Sequence, residues 1–496
     1  MSKHISKYLH KQMNKEAGIS HSQKKTKIIA TVGPASDSPE KLLELTKAGV
    51  NVFRLNFSHG TYENKKTIIE HIRTINKLEP VNIAILGDLQ GPKLRVGELS
   101  DGQIELVEGN DIVFTTEKQV GTKEKIYVSY SQLATDVKVG ERIFLDDGKM
   151  EVKVKEIRNE KEIIVSITVG GILLPKKGVN LPDSELTMPS MTEKDFADLD
   201  FIIENNLDWV ALSFVRKAAD IAVLKAKIAE KKSKLKVIAK IEMPEALKNI
   251  RDIIVESDGI MVARGDLGVE LPVERIPVIQ KELIRKSMHR AKPVIVATQM
   301  MESMMDRTKP NRSEVTDVAN AVMEGADAVM LSGETAMGEY PVQVVETMCR
   351  IIMEVEKSLY DYNRDDILSP QPHSPSFVSD AICYTACKLA NDTNARALIG
   401  MTQSGYTAFM LSSYRPKSPL YIFSKEKSLI AQLSLSWGVR AFYYAEEESL
   451  DDIIFDQINI LKERGFLNSG DVVVNTGSTP VELHLPTNIV KVSTVD

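Results

Sequence analysis

Short runs of consecutive apolar residues recur along the chain, each closed by glycine, proline or polar residues and followed by a stretch with the 3.6-residue helical period. In order they are Lys27 to Gly33, Asn51 to Ser58, Asn82 to Asp88, Asp208 to Val215, Lys236 to Glu242, Gly259 to Asp266, Pro293 to Met300 and Ala328 to Glu334. Unbroken Val, Ile, Leu and Ala runs are what strands buried on both faces require, and their alternation with helices predicts a parallel sheet. An open, doubly wound sheet meets the same pattern. The closed alternative, a (β/α)8 TIM barrel, is favoured because polar residues stand at the C-terminal end of nearly every run, where barrels of this kind carry their chemistry.

Two interruptions divide the chain. Between the third and fourth runs lie residues 89–207, far more than a connection needs, and they hold an insertion of about ninety residues (93–186). Within them, Asp101 to Val169 is a succession of short runs that alternate polar and apolar residues, which predicts a small antiparallel β-barrel or sandwich hinged on two connections and placed to act as a lid. After the eighth run, Tyr360 to Pro375 is polar and holds three prolines, a linker pattern. Beyond it a further α/β unit is expected, with strands at Ala395 to Met401, Pro419 to Ser424, Val439 to Tyr444, Asp471 to Thr476 and Ile489 to Val492, forming an open sheet covered by helices. The expected division is a basic N-terminal segment (1–23), the barrel (24–92 and 187–358), the inserted β lid (93–186) and a C-terminal open α/β domain (359–496).

Composition narrows the function classes. The formal charge is −6, which offers neither nucleic acid nor an anionic membrane a global positive field, so an anionic substrate must be held by local cations. No stretch approaches the roughly 18 uncharged apolar residues of a membrane span. The first fifteen residues carry Lys3, Lys7, Lys11 and Lys15 without an apolar core, so no secretory signal is read there. Three cysteines, Cys349, Cys383 and Cys387, are too few for a disulfide framework and point to a reducing, cytoplasmic compartment. Cys383 and Cys387, four apart, are expected to pack on one helix face. Neither a P-loop nor a dinucleotide-binding glycine fingerprint is present.

The chemistry lies at the strand ends. Glu242 is expected to end strand five and Asp266 strand six, which brings two carboxylates together at the barrel mouth, an oxygen set that suits Mg²⁺ or Mn²⁺ completed by water and substrate oxygens. Alternation in Lys-Ile-Glu points Lys240 and Glu242 to the same side. An ammonium beside a metal-binding carboxylate suits phosphoryl transfer, which is catalysed chiefly by positioning and opposing charge. Arg54, ending strand two, offers a planar fork to phosphate oxygens. Gly265 allows close backbone approach, and Thr298 and Ser332 end strands seven and eight with hydroxyls able to bond a carboxylate or carry a proton. Arg95 and Lys177, at the two hinges of the insertion, are placed to clamp polyphosphate.

With these residues in view, the chain from about Lys24 to its end resembles the pyruvate kinase family. The motifs are long: TKIIATVGP, RLNFSHG, KKGVNLP, AKIE, MVARGDLGVELP, ATQMMESM, NRSEVTDVANAV and GADAVMLSGETA. The resemblance implies transfer of the phosphoenolpyruvate phosphoryl group to ADP, giving pyruvate and ATP, in a homotetramer. It implies a divalent ion on Glu242 and Asp266 and a Lys240 that stabilises the moving group. Arg54, Gly265, Asp266 and Thr298 are implied at the substrate, and Asn56, Arg95 and Lys177 on the nucleotide side. The C-terminal domain resembles the family's effector domain. There Thr402, Ser404, Gly405 and Thr407 follow a strand and open a helix, offering hydroxyls and N–H groups to an effector phosphate. Gln403 stands where several members have lysine, and Thr476 to Pro486 lacks the glycine-rich run of those that bind fructose 1,6-bisphosphate, so the effector's identity and the existence of regulation stay open. A metal-dependent lyase or aldolase acting on pyruvate, and an inert barrel serving a sensor domain, are the rival readings.

One departure carries an expectation of its own. In potassium-dependent members the strand-three segment resembles Asp-Thr-Lys-Gly-Pro-Glu-Ile-Arg-Thr, whereas residues 88 to 96 read Asp-Leu-Gln-Gly-Pro-Lys-Leu-Arg-Val. Lys93 places a tethered ammonium where those members have a glutamate and bind a monovalent cation, although Asn56, Ser58 and Asp88 keep the family's cation-site identities. Turnover is therefore expected without added K⁺, and a large stimulation by K⁺ at fixed ionic strength is the result that overturns this.

Overall fold

The computed structural model describes residues 24–78, 81–358, 370, 374–445, 449–483 and 485–496. The basic segment read at 1–23 and most of the linker read at Tyr360 to Pro375 lie outside the described residues. Eight parallel strands close into a barrel: β1 (Lys27–Thr31), β2 (Val52–Asn56) and β3 (Ala84–Asp88), then, after the insertion, β12 (Trp209–Leu212), β13 (Lys236–Ile241), β14 (Gly259–Ala263), β15 (Val294–Ala297) and β16 (Ala328–Leu331). The barrel closes through β1 on β16, with Lys27 opposite Ala328 and Ala30 opposite Leu331.

Strand parity sorts the side chains. Ile29, Val52, Ala84, Leu86, Trp209, Ala211, Ile238, Met261, Ile295, Ala297, Ala328 and Met330 form one buried cluster, the barrel interior. Their neighbours in sequence, such as Ile28, Phe53, Ile85, Val210, Val237, Val262, Val296 and Val329, belong to a second cluster shared with the surrounding helices. Both parities are apolar, which is why the runs do not alternate. Following the inward parity up the strands leads to Thr31, Arg54, Asp88, Ser213, Lys240, Glu242 and Ser332. The inside is thus apolar below and polar at the C-terminal mouth.

The insertion comprises β4 (Ile104–Leu106), β5 (Asp111–Thr115), β6 (Lys125–Tyr127), β7 (Arg142–Leu145), β8 (Met150–Asn159), β9 (Glu162–Val169), β10 (Gly171–Leu173) and β11 (Val179–Asn180). They build a six-stranded sheet in the order β11-β7-β8-β9-β5-β6 and a two-stranded sheet of β10 and β4, which share one core. All pairs are antiparallel except β5 with β6. The C-terminal sheet runs β19 (Val439–Tyr443), β18 (Leu420–Ser424), β17 (Ala397–Met401), β20 (Val472–Gly477) and β21 (Ile489–Thr494), parallel except for its last pair. It sits under the barrel floor. Arg415 pairs with Asp327 at 2.8 Å, both almost fully buried, Trp209 Nε1 donates to the Gln432 carbonyl at 3.1 Å, and Lys27 Nζ donates to the Val439 carbonyl at 2.8 Å.

Cys383 and Cys387 lie buried on the helix Phe377–Asp392, and burial pushes the Cys383 thiol up to about 12, which leaves it inert as a nucleophile. Among the described residues no helix is long and apolar enough to cross a membrane.

The ends of β1 and β16 are tied together, Thr335 Oγ1 donating to the Thr31 carbonyl at 2.9 Å, and the turn beyond β1 passes close against Ala336. A Cβ on Gly33 would stand 2.6 Å from the Ala336 carbonyl oxygen and 2.8 Å from its Cβ. Gly33→Ala is therefore expected to cost about 1–3 kcal/mol by forcing the two strand ends apart, read as a lowered midpoint in thermal or urea unfolding.

Candidate active site

The polar layer at the barrel mouth is organised around one ammonium. Lys240 Nζ lies 2.9 Å from Glu242 Oε1 and 3.3 Å from Asp88 Oδ1, and it donates to Ser213 Oγ at 2.7 Å. Burial alone would lower its pKa, but the carboxylates of Asp88 and Glu242 together outweigh that cost and hold it above the usual lysine range. Asp88 in turn accepts from Arg54 Nε at 2.6 Å, while another Arg54 nitrogen donates to Thr31 Oγ1 at 3.0 Å. The Asp88 carboxyl is 1% exposed; desolvation alone would raise its pKa, and Lys240 and Arg54 overcome that and hold it below the ordinary carboxylate value.

Glu242 is fixed from its other side by the backbone N–H of Phe214, 2.7 Å from Oε2, which a left-handed Phe214 (φ 54°) presents to it. Burial raises the Glu242 pKa against the pull of Lys240, and the like charge of Asp266 adds to the rise. Asp266 corrects an expectation. β14 ends at Ala263, so Asp266 does not end a strand but stands in the first turn of the helix Arg264–Glu270. The Arg264 guanidinium pulls the chain round at that point: it pairs with Asp317 at 2.6 Å and donates to the Thr298 carbonyl at 2.7 Å. Asp266 remains close enough to act electrostatically on both Lys240 and Glu242, and among the described residues its carboxylate makes no hydrogen bond or ion pair.

Thr298 breaks the parity rule. Val294 and Val296 point outward, and Thr298 would follow them, but its backbone is left-handed (φ 69°), as is that of Gln299 (φ 52°), and the hydroxyl is turned to accept from the Gly265 N–H at 2.7 Å while donating to the Ala297 carbonyl at 2.6 Å. A non-glycine residue in that region costs about 1–3 kcal/mol, and such strain gathers at functional sites. Ser332 lies at the end of β16, its N–H donating to Glu334 Oε2 at 2.7 Å and its hydroxyl buried without a hydrogen-bond partner among the described residues.

The remaining expected residues lie on the rim and beyond. Asn56 Oδ1 accepts from the Ser58 N–H at 3.0 Å, opposite Asp88 on the neighbouring strand. Arg95 donates to the Lys176 carbonyl at 2.9 Å and bridges to Gly178, so it straps the two hinge segments together. Lys177 pairs with Asp146 at 2.8 Å, and Lys93 reaches along the same hinge toward Gly178. In the C-terminal domain Thr402 and Ser404 accept from the Gly405 and Tyr406 N–H groups, Gly405 turns the chain at φ 90°, and Thr407 bonds Thr487 at 2.6 Å. A cavity of about 880 Å³ opens beside them, lined by Thr402, Gln403, Ser404, Thr407, Thr476 and Thr487 among others.

Ser213, Phe214 and Arg264 escaped sequence reading. Parity from Trp209 and Ala211 would have sent Ser213 inward, but no local signal announces a backbone N–H aimed at Glu242 or a guanidinium spent on Thr298.

Among the described residues no group of three or more His, Cys, Asp or Glu side chains is arranged to hold a metal ion. The carboxylates that act on each other at the mouth are Glu242 and Asp266: burial raises the Glu242 pKa and the like charge of Asp266 adds to the rise. That fits a hard divalent ion of the magnesium kind, which takes one or two protein carboxylates and leaves its other positions to water and substrate.

Comparison with known proteins places this geometry. Residues 23–345 match the family described as pyruvate kinase, barrel domain, and residues 380–493 match pyruvate kinase, alpha/beta domain. The chain is 41% identical over 475 residues to the pyruvate kinase of Geobacillus stearothermophilus, covering 95% of this chain and 81% of that protein. It is 41% identical over 474 residues to the pyruvate kinase of Staphylococcus aureus (strain USA300), covering 95% and 80%. The crystal structure of a pyruvate kinase from Cryptosporidium parvum superposes with a TM-score of 0.89 at 34% identity, over 98% of this chain and 99% of that one.

The Asp88 network has a thermodynamic consequence. Asp88→Asn leaves Lys240 and Arg54 facing each other with one carboxylate fewer, and breaking a buried pair in this way costs roughly 3–5 kcal/mol. Because the folded pKa of Asp88 is depressed, the wild-type advantage is complete above its unfolded value near pH 3.8 and is lost as pH falls through the lower folded value. Urea unfolding of both proteins between about pH 3 and 7 is expected to show the gap closing at the acid end.

Proposed function

The chain belongs to the pyruvate kinase family, and we propose that Lys240, set between Glu242 and Asp88 at the barrel mouth, is the group that stabilises the phosphoryl unit in flight. The reaction is transfer of a phosphoryl group from phosphoenolpyruvate to ADP, giving pyruvate and ATP, the last step of glycolysis. Members of the family generally use Mg²⁺ and often K⁺.

In this chain Glu242 and Asp266 would hold the divalent ion, which when bound neutralises phosphate and enolate oxygens. Arg54 donates to the phosphoryl oxygens with Nη2, the one nitrogen not spent on Asp88 or Thr31. The Gly265 backbone and the Thr298 hydroxyl orient the substrate carboxylate. Lys240 is held protonated because its two carboxylate neighbours outweigh the cost of burial, and it acts where charge develops. Thr298 and Ser332 are the two hydroxyls proposed to order the water that delivers a proton to the methylene carbon.

Asn56, Arg95 and Lys177 receive the nucleotide under the inserted domain, with Lys177 leaving Asp146 for phosphate. Asn56, Ser58 and Asp88 keep the identities of a monovalent-cation site, and the Lys93 ammonium replaces the ion. The C-terminal cavity, with Thr402, Ser404, Gly405 and Thr407 on one wall, takes a phosphorylated effector. Exposed Val273, Val278 and Met337, each more than two-thirds accessible, support burial in a homotetramer. Buried, unpaired cysteines are consistent with a cytoplasmic setting.

The observation that carries this reading is the 2.9 Å contact of Lys240 with Glu242, an ammonium locked against a proposed ligand of the divalent ion. Lys240→Met is expected to lower kcat by about 10²–10³ in a lactate dehydrogenase-coupled assay, the scale of one lost electrostatic donor, with KM for phosphoenolpyruvate changed far less. Full turnover in a variant that melts normally would remove Lys240 from the reaction.

A further inference from the structure

Glu270 closes the helix whose first turn carries Gly265 and Asp266. It is 5% exposed. Its Oε1 accepts a hydrogen bond from Asn180 Nδ2 at 2.7 Å, and Asn180 ends β11, by which the inserted domain returns to the barrel. Its Oε2 is buried with no hydrogen-bond partner among the described residues. Beside it lies a cavity of about 30 Å³, lined by Lys93 and Leu94 of the outgoing hinge, Leu181 of the returning hinge, and Phe214 and Met243, which flank Glu242. Both hinge segments, the metal-binding helix and the neighbours of Glu242 therefore meet around one carboxylate.

A half-satisfied buried carboxyl is a poor filler for such a junction, since an apolar side chain of the same volume would be cheaper. Burial pushes Glu270 up to about 7 against the hydrogen bond from Asn180, with the charges of Asp266 and Asp183 adding to the rise. What the carboxyl does, and an apolar chain cannot, is cross from the barrel to the inserted domain with a directional bond. Asp266 and Glu270 are four apart on one helix and so share a face, which makes the helix a short rigid link from that bond to the substrate site.

We propose that Glu270 is a positioning residue: its hydrogen bond to Asn180 sets the angle of the inserted domain over the barrel mouth and couples that angle to the helix that carries Gly265 and Asp266. The kinetic consequence rests on the reading that nucleotide binds beneath the inserted domain; the positional one does not.

The test uses the full chain with spin labels on cysteines introduced at the exposed positions Lys118, on the inserted domain, and Glu204, on the barrel; the three native cysteines are buried. Pulsed dipolar distances without substrates are expected to broaden in Asn180→Ala and in Glu270→Ala, and to keep the parent width in Glu270→Gln, whose carbonyl oxygen still accepts from Asn180. In unlabelled enzyme Asn180→Ala is expected to raise KM for ADP about tenfold, the scale of one hydrogen bond to a charged group. An unchanged distance distribution in Asn180→Ala, or equal broadening in Glu270→Gln and Glu270→Ala, overturns the proposal. Broadening with an unchanged KM for ADP upholds the positional role and overturns only the placement of nucleotide under the inserted domain.

Discussion

The upper half of the barrel depends on keeping a buried ammonium charged. Lys240 is enclosed by strands and would lose its proton there if it stood alone, so Asp88 and Glu242 must approach to 3.3 Å and 2.9 Å, and each of those carboxylates then needs its own partner. Arg54 supplies one for Asp88 and the Phe214 N–H one for Glu242. Asp266, whose charge acts on Lys240 and Glu242, is left without a hydrogen-bond partner among the described residues.

Holding that network requires backbone that regular strands do not supply. Phe214, Thr298 and Gln299 all take left-handed conformations just past the ends of β12 and β15. Phe214 presents its N–H to Glu242, and Thr298 turns its hydroxyl to Gly265, where strand parity would not send it. Arg264 stabilises the strained segment by bonding the carbonyls of Thr298 and Gln299 while anchored on Asp317. The strands below are buried on both faces, which leaves the turn little to relax into.

The floor of the barrel is the mirror case. Its interior is filled by Trp209 and aliphatic side chains, and it is sealed by the C-terminal domain through Arg415, Gln432 and the carbonyl of Val439. A fully buried ion pair such as Arg415–Asp327 adds little net stability but is costly to break, so it selects one docking geometry for the two domains.

Much of this was legible in the residues. Eight apolar runs, the long insertion after the third and the five-stranded unit at the end each follow from local periodicity, which acts over a few residues and needs no partner. The pairing of Lys240 with Glu242 followed from two-residue alternation within one strand. What local pattern could not decide was anything set between strands. Both faces of every barrel strand are apolar, so which parity faces inward, and hence that Asp88 and Ser213 join Lys240, depends on register and closure. The end of β14 at Ala263, the inward turn of Thr298 and the bond from Asn180 to Glu270 arise from contacts between segments 33 to 90 residues apart, and no spacing along a chain encodes those distances. Sequence alone determined the elements and the chemical groups; the tertiary structure decided which of those groups share a dielectric small enough for their charges to act on one another.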